Sequence, residues 1–352
     1  MAARRTLPGV TPAETDPAKV LERIAYLLDR GRAERFRVQA WRRAAEAARQ
    51  AGPEQLAELA AAGRLEELPG VGPKTAGVIA EVVAGEVPAY LGSLEETTAV
   101  RSGEGDALRS ALRGDCHTHS DWSDGGATIE EMARAAIALG HDYIALTDHS
   151  PRLTVAKGLS RERLEHQLEV VAGLNDELAP FRILTGIEVD ILDDGRLDQD
   201  VAILARLDVV VASVHSKLRM PEPEMTRRMC VAVADPHVDV LGHCTGRLVV
   251  GRGRPESTFD PDLVFEACRA FDTAVEINSR PERLDPPRRL LRMAVEAGCR
   301  FAIDTDAHAT GQLEWLPYGC DRAAECGVEP DRVVNTMSPD DLVAWAASHG
   351  DR

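Results

Sequence analysis

The chain has 352 residues, 44% of them hydrophobic and 28% charged, and a net charge of −17. This is a globular composition with room for more than one domain, and no apolar run approaches the roughly 20 residues of a membrane span. The N-terminus has two arginines without an apolar stretch behind them, so no secretory signal is expected. The seven cysteines are scattered, which favours a reducing cytoplasmic location over a disulfide framework.

The charge is unevenly distributed along the chain. Residues 1–90 carry 13 Lys and Arg residues against 12 Asp and Glu residues, so the negative charge lies in the remainder. An acidic body repels nucleic acid unless bound cations or a separate module offset its charge. We expect residues 1–91 to be that module, an all-α domain with helices within 17–50, over 54–62 and up to about residue 84.

Residues 68–76, Leu-Pro-Gly-Val-Gly-Pro-Lys-Thr-Ala, are typical of a helix-hairpin-helix turn. The two glycines permit a tight turn that exposes backbone N–H groups at a helix N-terminus, and these can hold a nucleic-acid phosphate without reading bases. Such a hairpin can also pack against protein. The arginine-rich neighbourhood favours phosphate contact, and the predicted DNA-binding residues are Gly70, Gly72, Lys74, Arg37 and Arg42.

The remainder of the chain alternates between strand and helix patterns. Residues 92–113 lack a clear period and are rich in Gly, Ser and charge, which is typical of a linker. From residue 114 onward, seven candidate strands end near residues 119, 146, 189, 214, 241, 277 and 303, with helices between them. Alternating β and α elements favour an α/β fold with a parallel barrel over residues 114–352.

Ligand-type residues stand at the ends of these strands. His117 and His119 are two residues apart near a strand start, and alternate residues of a strand point the same way. Later strands deliver His, Asp or Glu at their C-terminal ends, where α/β barrels keep their active sites. One such residue is weak support, but nine indicate a site for more than one metal ion: His117, His119, Asp124, His149, Glu188, His215, His243, Asp306 and His308.

The motifs CHTHSDWSDG, ALTDHS, GIEVDI, ASVHSK, DVLGHCTGR and IDTDAH make residues 114–349 resemble the PHP domain, named for the polymerase and histidinol phosphatase superfamily. GHCTGRLVVGR, EINSRPERLDPP and WLPYG are similar to stretches of the PHP domains of bacterial family X DNA polymerases. FRVQAWRRAA and LPGVGPKTA resemble the N-terminal domain of those polymerases. The resemblance implies a distorted (β/α)7 barrel with a trinuclear metal centre, preceded by a small helix-hairpin-helix domain.

Two departures from that family pattern limit what is expected. No polymerase palm separates the two matching regions, so polymerase activity is not predicted. Val78 stands where the related lyase domain has its Schiff-base lysine, and a valine cannot form an imine. Lyase activity is therefore not predicted either, and DNA holding is the expected role of the N-terminal domain.

The resemblance also implies how the ions are shared. His117, His119, Glu188 and Asp306 would hold the first, Asp124, His149 and His308 the second, and Glu188, His215 and His243 the third. Glu188 would then bridge two ions, which a carboxylate can do and an imidazole cannot. Imidazole combined with carboxylate suits zinc and manganese, so the predicted cofactors are three divalent metal ions, zinc or manganese.

The predicted chemistry is metal-assisted hydrolysis of a phosphoester. Arg247 is the first candidate for holding the phosphate, because a guanidinium binds phosphate in a bidentate manner. Lys217, Arg252 and Arg280 are further candidates, although Lys217 fits a surface salt bridge equally well. Asp148 is expected either to orient a ligand histidine or to cap the following turn.

Two histidines outside the motifs are expected to have no role in the reaction. His141 follows a predicted helix end, and His349 lies in what looks like a frayed C-terminal tail.

Three functions fit these features. The first is a metal-dependent phosphoesterase acting on DNA ends, as a 3′–5′ exonuclease or 3′-phosphatase in DNA repair. It would bind 3′ ends or single strands through the N-terminal domain, with repair proteins as further partners. The second is a small-molecule phosphatase of the histidinol-phosphate type, which leaves the N-terminal domain unexplained. The third is a DNA-binding scaffold with a degenerate barrel, against which the complete ligand set argues. The expected enzyme class is therefore a phosphoric ester hydrolase.

Overall fold

The computed structural model describes residues 16–100 and 103–351. The chain divides into two compact units, of which the first ends at Ala99 and the second begins at Val100. Within the described ranges, no helix combines the length and the hydropathy that crossing a lipid bilayer requires.

The first unit is helical in its described part, and its four α-helices are α1 (Pro17–Arg30), α2 (Arg35–Ala61), α3 (Pro73–Val83) and α4 (Ala89–Thr97). Helix α1 begins where the Asp16 side chain accepts a hydrogen bond from the backbone N–H of Ala18 at 2.9 Å. Helix α2 is broken at Gly52, which has a φ of 73° and is followed in the chain by Pro53. The helix predicted over 54–62 corresponds to the part of α2 after this break. One hydrophobic core, which includes Leu21, Ile24 and Ile79, joins these helices.

The second unit contains seven parallel strands in the order β1 to β7. They are β1 (Gly114–Thr118), β2 (Tyr143–Leu146), β3 (Arg182–Asp190), β4 (Val209–Ser213), β5 (Val240–Leu241), β6 (Ala274–Asn278) and β7 (Phe301–Asp304). Thr118 pairs with Ala307 across the remaining gap, and the N–H of His119 donates to the carbonyl of Ala307 at 2.8 Å. The sheet is thus nearly closed, and the predicted seven-stranded barrel is confirmed.

Helices lie between the strands of this barrel, with one more helix before β1 and two after β7. They are α5 (Asp106–Ala111), α6 (Ile129–Ala138), α7 (Arg161–Leu178), α8 (Val201–Leu204), α9 (Glu222–Val233), α10 (Pro261–Phe271), α11 (Arg288–Ala297), α12 (Leu316–Glu325) and α13 (Pro339–Ala347). Strands such as β4 are buried along their whole length, because a parallel barrel is covered on both faces. This explains why the strand sequences are continuous apolar runs that end in a polar residue.

The stretch predicted to be a linker is more ordered than its composition indicated. Helix α4 covers part of residues 92–113, and α5 covers another part. The division between the two compact units also falls inside this stretch, at Ala99 and Val100. The wider domain assignment of 1–91 and 114–352 stays a prediction.

Candidate metal centre

The centre of the site is Glu188, which β3 holds inside the barrel with 1% of its surface exposed. Five imidazoles surround its carboxylate. The distances to the nearest carboxylate oxygen are 2.8 Å for His149 Nδ1, 2.9 Å for His243 Nε2, 3.2 Å for His215 Nε2, 3.4 Å for His117 Nε2 and 3.6 Å for His119 Nε2. Strand ends far apart in the sequence therefore converge on one carboxylate, as the strand pattern predicted.

The other three predicted ligands complete the site on the β1 and β7 side. His119 Nε2 lies 3.4 Å from Asp306 Oδ1, and His308 Nε2 lies 3.3 Å from Asp124 Oδ1. The Asp124 side chain is 36% exposed and that of His308 is 17% exposed, whereas His119 is fully buried. The structure brings all nine predicted ligands together, and the site is most open at Asp124 and His308.

The residues present fit divalent cations. Several ligand atoms are buried, and although some of them lie about 3 Å apart, none of these contacts has the geometry of a hydrogen bond. Within the described part of the chain, these atoms are Nε2 of His117, both ring nitrogens of His119, His215 and His243, and both oxygens of Glu188. A buried polar group left unpaired costs about 1–3 kcal/mol, so a cluster of them is costly unless something binds there. Their arrangement is that of donors facing a shared cation.

Cation binding needs neutral imidazoles and charged carboxylates, and the carboxylates and His119 are already in those forms. Burial lowers the pKa of His117 and His215, but nearby carboxylates outweigh burial and raise both, that of His215 to about 9, so a cation binding there has to displace their protons. Burial raises the pKa of Glu188, but the charges of His215, His149 and His117 outweigh burial and hold it well below its usual range. Burial, together with the charges of His308 and His149, holds the pKa of His119 well below its usual range. Asp306 is likewise kept ionised, because Arg280, His119 and Arg283 overcome the effect of burial on its pKa.

The geometric grouping differs in detail from the predicted sharing of ions. Three sets have ligand atoms within 4.8 Å of one another: His119, Asp124, His149 and His308; His117, His119 and Glu188; and His149, Glu188 and His215. His119 thus also joins the second predicted set, and His149 takes the place of His243 in the third. The assignment of each ligand to a particular ion stays a prediction.

Comparisons with known proteins agree with this geometry. Residues 115–272 match the PHP domain, and residues 12–87 match a helix-hairpin-helix domain. A probable phosphatase of Thermoanaerobacter sp. (strain X514) is 30% identical over 234 residues, which are 63% of this chain and 89% of that relative. The chain belongs to the PHP domain family. The DNA polymerase/3′-5′ exonuclease PolX of Bacillus subtilis (strain 168) is 43% identical over 234 residues, which are 66% of this chain but only 41% of that relative.

Among solved structures, the PHP chain is similar to the histidinol phosphate phosphatase of Lactococcus lactis subsp. lactis, solved with zinc, L-histidinol and phosphate. The TM-score is 0.44 at 20% identity, covering 62% of this chain and 95% of the other.

Glu276, at the centre of β6, supports two of the PHP-site histidines and was missed by the sequence reasoning. His117 Nδ1 lies 2.6 Å from Glu276 Oε1, and the backbone N–H of His243 donates to Glu276 Oε2. A carboxylate in this position fixes the tautomer and the orientation of a ligand imidazole. The only signal in the sequence was an acidic residue inside an otherwise apolar strand.

Asp190 and Arg228 hold the backbone around His215. The N–H of His215 donates to Asp190 Oδ1 at 3.1 Å. Arg228 of α9 is 1% exposed, and its guanidinium donates to the backbone carbonyls of Ile191 and Ser216. Because Ile191 follows β3 and Ser216 follows His215, this arginine ties together the two loops that carry part of the centre.

Two further buried carboxylates join β1 to β7 beneath the centre. Asp304 accepts from the N–H of Cys116 at 2.8 Å, and Asp115 accepts from the N–H and the hydroxyl of Thr305. Burial raises the pKa of Asp115 to about 6 and that of Asp304 well above its usual range. These bonds fix the strand on which His117 lies against the last strand of the barrel.

Asp148 holds the loop that follows β1. Its carboxylate accepts hydrogen bonds from the N–H and hydroxyl of Ser120, the hydroxyl of Ser123 and the side-chain amide of Gln167. No hydrogen bond to a ligand histidine is found in the described residues. Asp148 therefore supports the turn that carries Asp124, and a role for it in orienting a ligand imidazole stays a prediction.

Two of the four predicted phosphate-binding cations have other partners. The Arg247 guanidinium donates to the backbone carbonyls of Arg283, at 3.0 Å, and Leu284, and Lys217 pairs with Asp193 at the surface. Each of these contacts is that of a structural residue, and a role for Arg247 or Lys217 in phosphate binding stays a prediction.

Among the described residues, Arg280 and Arg283 are the arginines that contact the predicted ligands Asp306 and His308, and only Arg280 was among the candidates. Arg283 Nε donates to Asp306 Oδ2 at 3.0 Å, and Arg280 Nη1 donates to the carbonyl of Asp306 at 2.9 Å and lies 2.9 Å from His308 Nδ1. Nη1 of Arg283 is buried and has no partner among the described residues. The sequence could not identify Arg283, because its position depends on the loop after β6.

The predicted DNA-binding residues of the first unit divide into two groups. Gly70, Gly72, Lys74 and Arg37 line one groove of about 270 Å³ with Phe36 and Trp41. In contrast, Arg42 donates to Asp29 at 2.8 Å in a partly buried ion pair, so its charge is already balanced.

The groove is built by the hairpin turn and α2. Gly70 has a φ of 83°, which favours glycine, and the N–H of Gly72 donates to the Thr75 hydroxyl at 2.9 Å as α3 begins. The Lys74 ammonium lies 3.6 Å from the centroid of the Tyr90 ring, and Phe36 is 67% exposed. A cation beside exposed aromatic surface suits a nucleic-acid strand.

Proposed function

We propose that this chain is a metal-dependent phosphoesterase that hydrolyses phosphodiester or phosphomonoester bonds at DNA ends, as a 3′–5′ exonuclease or 3′-phosphatase in DNA repair. The single observation that carries the proposal is the cluster of unpartnered imidazoles around the ionised Glu188. The predicted enzyme class, a hydrolase of phosphoric esters, is confirmed by membership of the PHP family and by a relative named as a phosphatase.

The cofactor part of the proposal is three divalent ions, zinc or manganese, held by the nine ligands. Bound ions of this kind activate water as a nucleophile and neutralise the charge that develops on phosphoryl oxygens. The family and the donor set support dependence on metal, and imidazole with carboxylate suits either element.

The chain's own residues would orient the phosphate. The unpartnered Nη1 of Arg283 is a buried donor beside Asp306, and Arg280 stands next to His308 on the open side of the site. A guanidinium in a water-poor site binds a phosphoryl oxygen strongly because the charge is poorly screened. Asp306 holds both arginines in place, so one carboxylate links the ligand set to the phosphate-binding groups.

DNA is the proposed substrate because the chain joins the barrel to a helix-hairpin-helix unit. The groove with Lys74, Arg37 and Phe36 supports contact with a single strand or a 3′ end, and the B. subtilis relative is named as a 3′-5′ exonuclease. DNA repair proteins are proposed as further partners. A cytoplasmic location is also proposed, supported by seven cysteines that are all free.

The second candidate is a phosphatase for small molecules such as histidinol phosphate. It is favoured by the probable phosphatase whose length the barrel nearly covers. The two candidates are separated by comparing the turnover of a 3′-labelled single-stranded oligonucleotide with that of histidinol phosphate, in Mn²⁺ and in Zn²⁺. Preference for histidinol phosphate in both metals would refute the DNA proposal, and a His119→Ala variant controls for contaminating activity.

The role of the hairpin groove is tested with Lys74→Gln in the full chain. We expect weaker oligonucleotide binding and a salt dependence whose slope falls by about one. Lys19→Gln, an exposed lysine on α1, is the matched control. Equal losses in the two variants would indicate that only the general charge of the unit matters.

A further inference from the structure

The loop between β2 and α7, next in the chain to the metal centre, carries an exposed apolar side chain. Val155 is 90% exposed, and it lies in a loop of residues 150–159, here named the Val155 loop. The loop starts directly after the ligand His149. Isolated exposed valines are common on protein surfaces, so the exposure of Val155 alone does not indicate a binding role. The structure of the loop around it has to supply that indication.

The Val155 loop is held firmly at its base. The N–H of Leu159 donates to the carbonyl of His149 at 2.7 Å, and the N–H of Ser150 donates to the carbonyl of Glu188 at 3.1 Å. A Cβ at Gly158 would lie 1.8 Å from the carbonyl oxygen of Ser150, so the two ends of the loop can approach only with glycine there. Ala156 and Leu159 are buried, which leaves Val155 projecting from an ordered loop.

Arg163 fixes the loop against the open side of the metal centre. Its guanidinium donates to the carbonyl of Lys157 at 2.6 Å and to that of Gly158 at 3.2 Å. The same guanidinium donates to the carbonyl of Trp122, which lies in the turn that carries the ligand Asp124. The Val155 loop and this turn are therefore one unit, at the side where Asp124 and His308 are exposed.

The charge of the loop suits a phosphate backbone. Residues 150–160 contain Arg152 and Lys157 and no acidic residue, although the chain as a whole has a net charge of −17. One carboxylate, that of Asp198, contacts the start of the loop, where it accepts from the N–H of Arg152 at 2.6 Å and from the Ser150 hydroxyl at 3.1 Å. The Arg152 side chain is 48% exposed, with Asp190 3.9 Å away, and Lys157 has no acidic partner among the described residues. An apolar tip flanked by cations matches a nucleotide strand, whose bases offer apolar faces and whose phosphates are anionic.

We propose that Val155 packs against the base of a nucleotide at the strand end that enters the metal centre, with Lys157 and Arg152 beside the flanking phosphates. This proposal rests on the proposed function. It assigns to the Val155 loop the ability of the barrel to distinguish a nucleic-acid strand from a small phosphate ester. Val155 is a specificity residue in this scheme and takes no part in the hydrolytic chemistry.

The test uses the full-length, metal-loaded protein with Val155→Ser and Val155→Phe. The substrates are a single-stranded 15-nucleotide DNA and bis(p-nitrophenyl) phosphate, a small diester with no base. Val155→Ser is expected to raise KM for the DNA about five- to tenfold, from the lost apolar contact, and to leave both constants for the small ester unchanged. Val155→Phe is expected to match or lower the wild-type KM for DNA, since a ring stacks on a base.

Val231→Ser is the matched control, because Val231 is 41% exposed on α9 and belongs neither to the Val155 loop nor to the predicted ligands. A DNA KM for Val155→Ser within twofold of wild type, or a parallel loss on the small ester, would overturn the assignment. If the wild-type protein cleaves the small ester and not DNA, the proposed function fails, and this inference fails with it.

Discussion

Replacing Glu276 with Gln tests whether the histidine cluster is organised for metal. The substitution keeps the size of the side chain and removes its charge. Glu276 is fully buried, lies 2.6 Å from His117 Nδ1 and accepts from the N–H of His243, so the variant loses a charge-assisted contact to one ligand and weakens the support of another. Hydrogen bonds to a charged group contribute about 1.5–3 kcal/mol, which corresponds to a loss of about 10- to 100-fold in metal affinity.

The assay is competition for Mn²⁺ or Zn²⁺ against a chromogenic chelator, followed by activity at saturating metal. We expect the Glu276→Gln variant to bind metal 10- to 100-fold more weakly, as estimated above, and to recover much of its activity when metal is in excess. Glu266→Gln is the control, because Glu266 is an exposed residue of α10 that pairs with Arg269. Unchanged affinity in Glu276→Gln would show that the contact with His117 does not serve metal binding.

Three other predictions follow from buried residues. Glu188→Gln is expected to lower phosphoesterase activity at least about a hundredfold and to reduce bound metal measured by elemental analysis; full retention of both would refute its central role. Burial, and then the charge of Arg109, lowers the pKa of His141 to about 4. Between about pH 6.5 and about pH 4, His141 is protonated in the unfolded chain but stays neutral in the folded chain. The free energy of unfolding therefore falls as the pH drops through this range. Urea titrations should show the wild type losing about 2 kcal/mol more than His141→Leu between about pH 7.5 and about pH 5, and equal losses would contradict this. Arg228→Met is expected to destabilise the barrel by about 3 kcal/mol, seen as a lower Tm, because it leaves the carbonyls of Ile191 and Ser216 unpaired; a smaller loss in Arg228→Lys would identify the hydrogen bonds as the cause.

The strands and the ligands could be predicted from the sequence because both leave local signals. Apolar runs such as Val209–Val211 can only be buried strands or helices, and their short length favours strands. A polar residue at the end of each run then marks one rim of a barrel. Glu188 and His215 were identifiable for this reason, without knowledge of their neighbours.

Residues whose role depends on distant neighbours gave no comparable signal. Arg247 and Arg283 are both arginines in loops, and only the fold shows that the first bonds backbone carbonyls while the second reaches Asp306. His349 was expected in a frayed tail, yet it is 2% exposed and lies 2.9 Å from Asp239. The helices inside residues 92–113 were missed because α4 and α5 each bury a single side chain, Leu91 and Leu108, and so show no clear periodicity.

The contact between Thr118 and Ala307 closes the barrel with the first and the seventh of its strands. Ligands therefore come from both ends of the folding unit, since His117 and His119 are made early in synthesis while Asp306 and His308 are made nearly 200 residues later. A ribosome-bound chain that stops short of β7 has only part of the predicted ligand set. The complete set of predicted ligands is therefore present only once residue 308 has been made, and a fragment cut before residue 301 lacks Asp306 and His308.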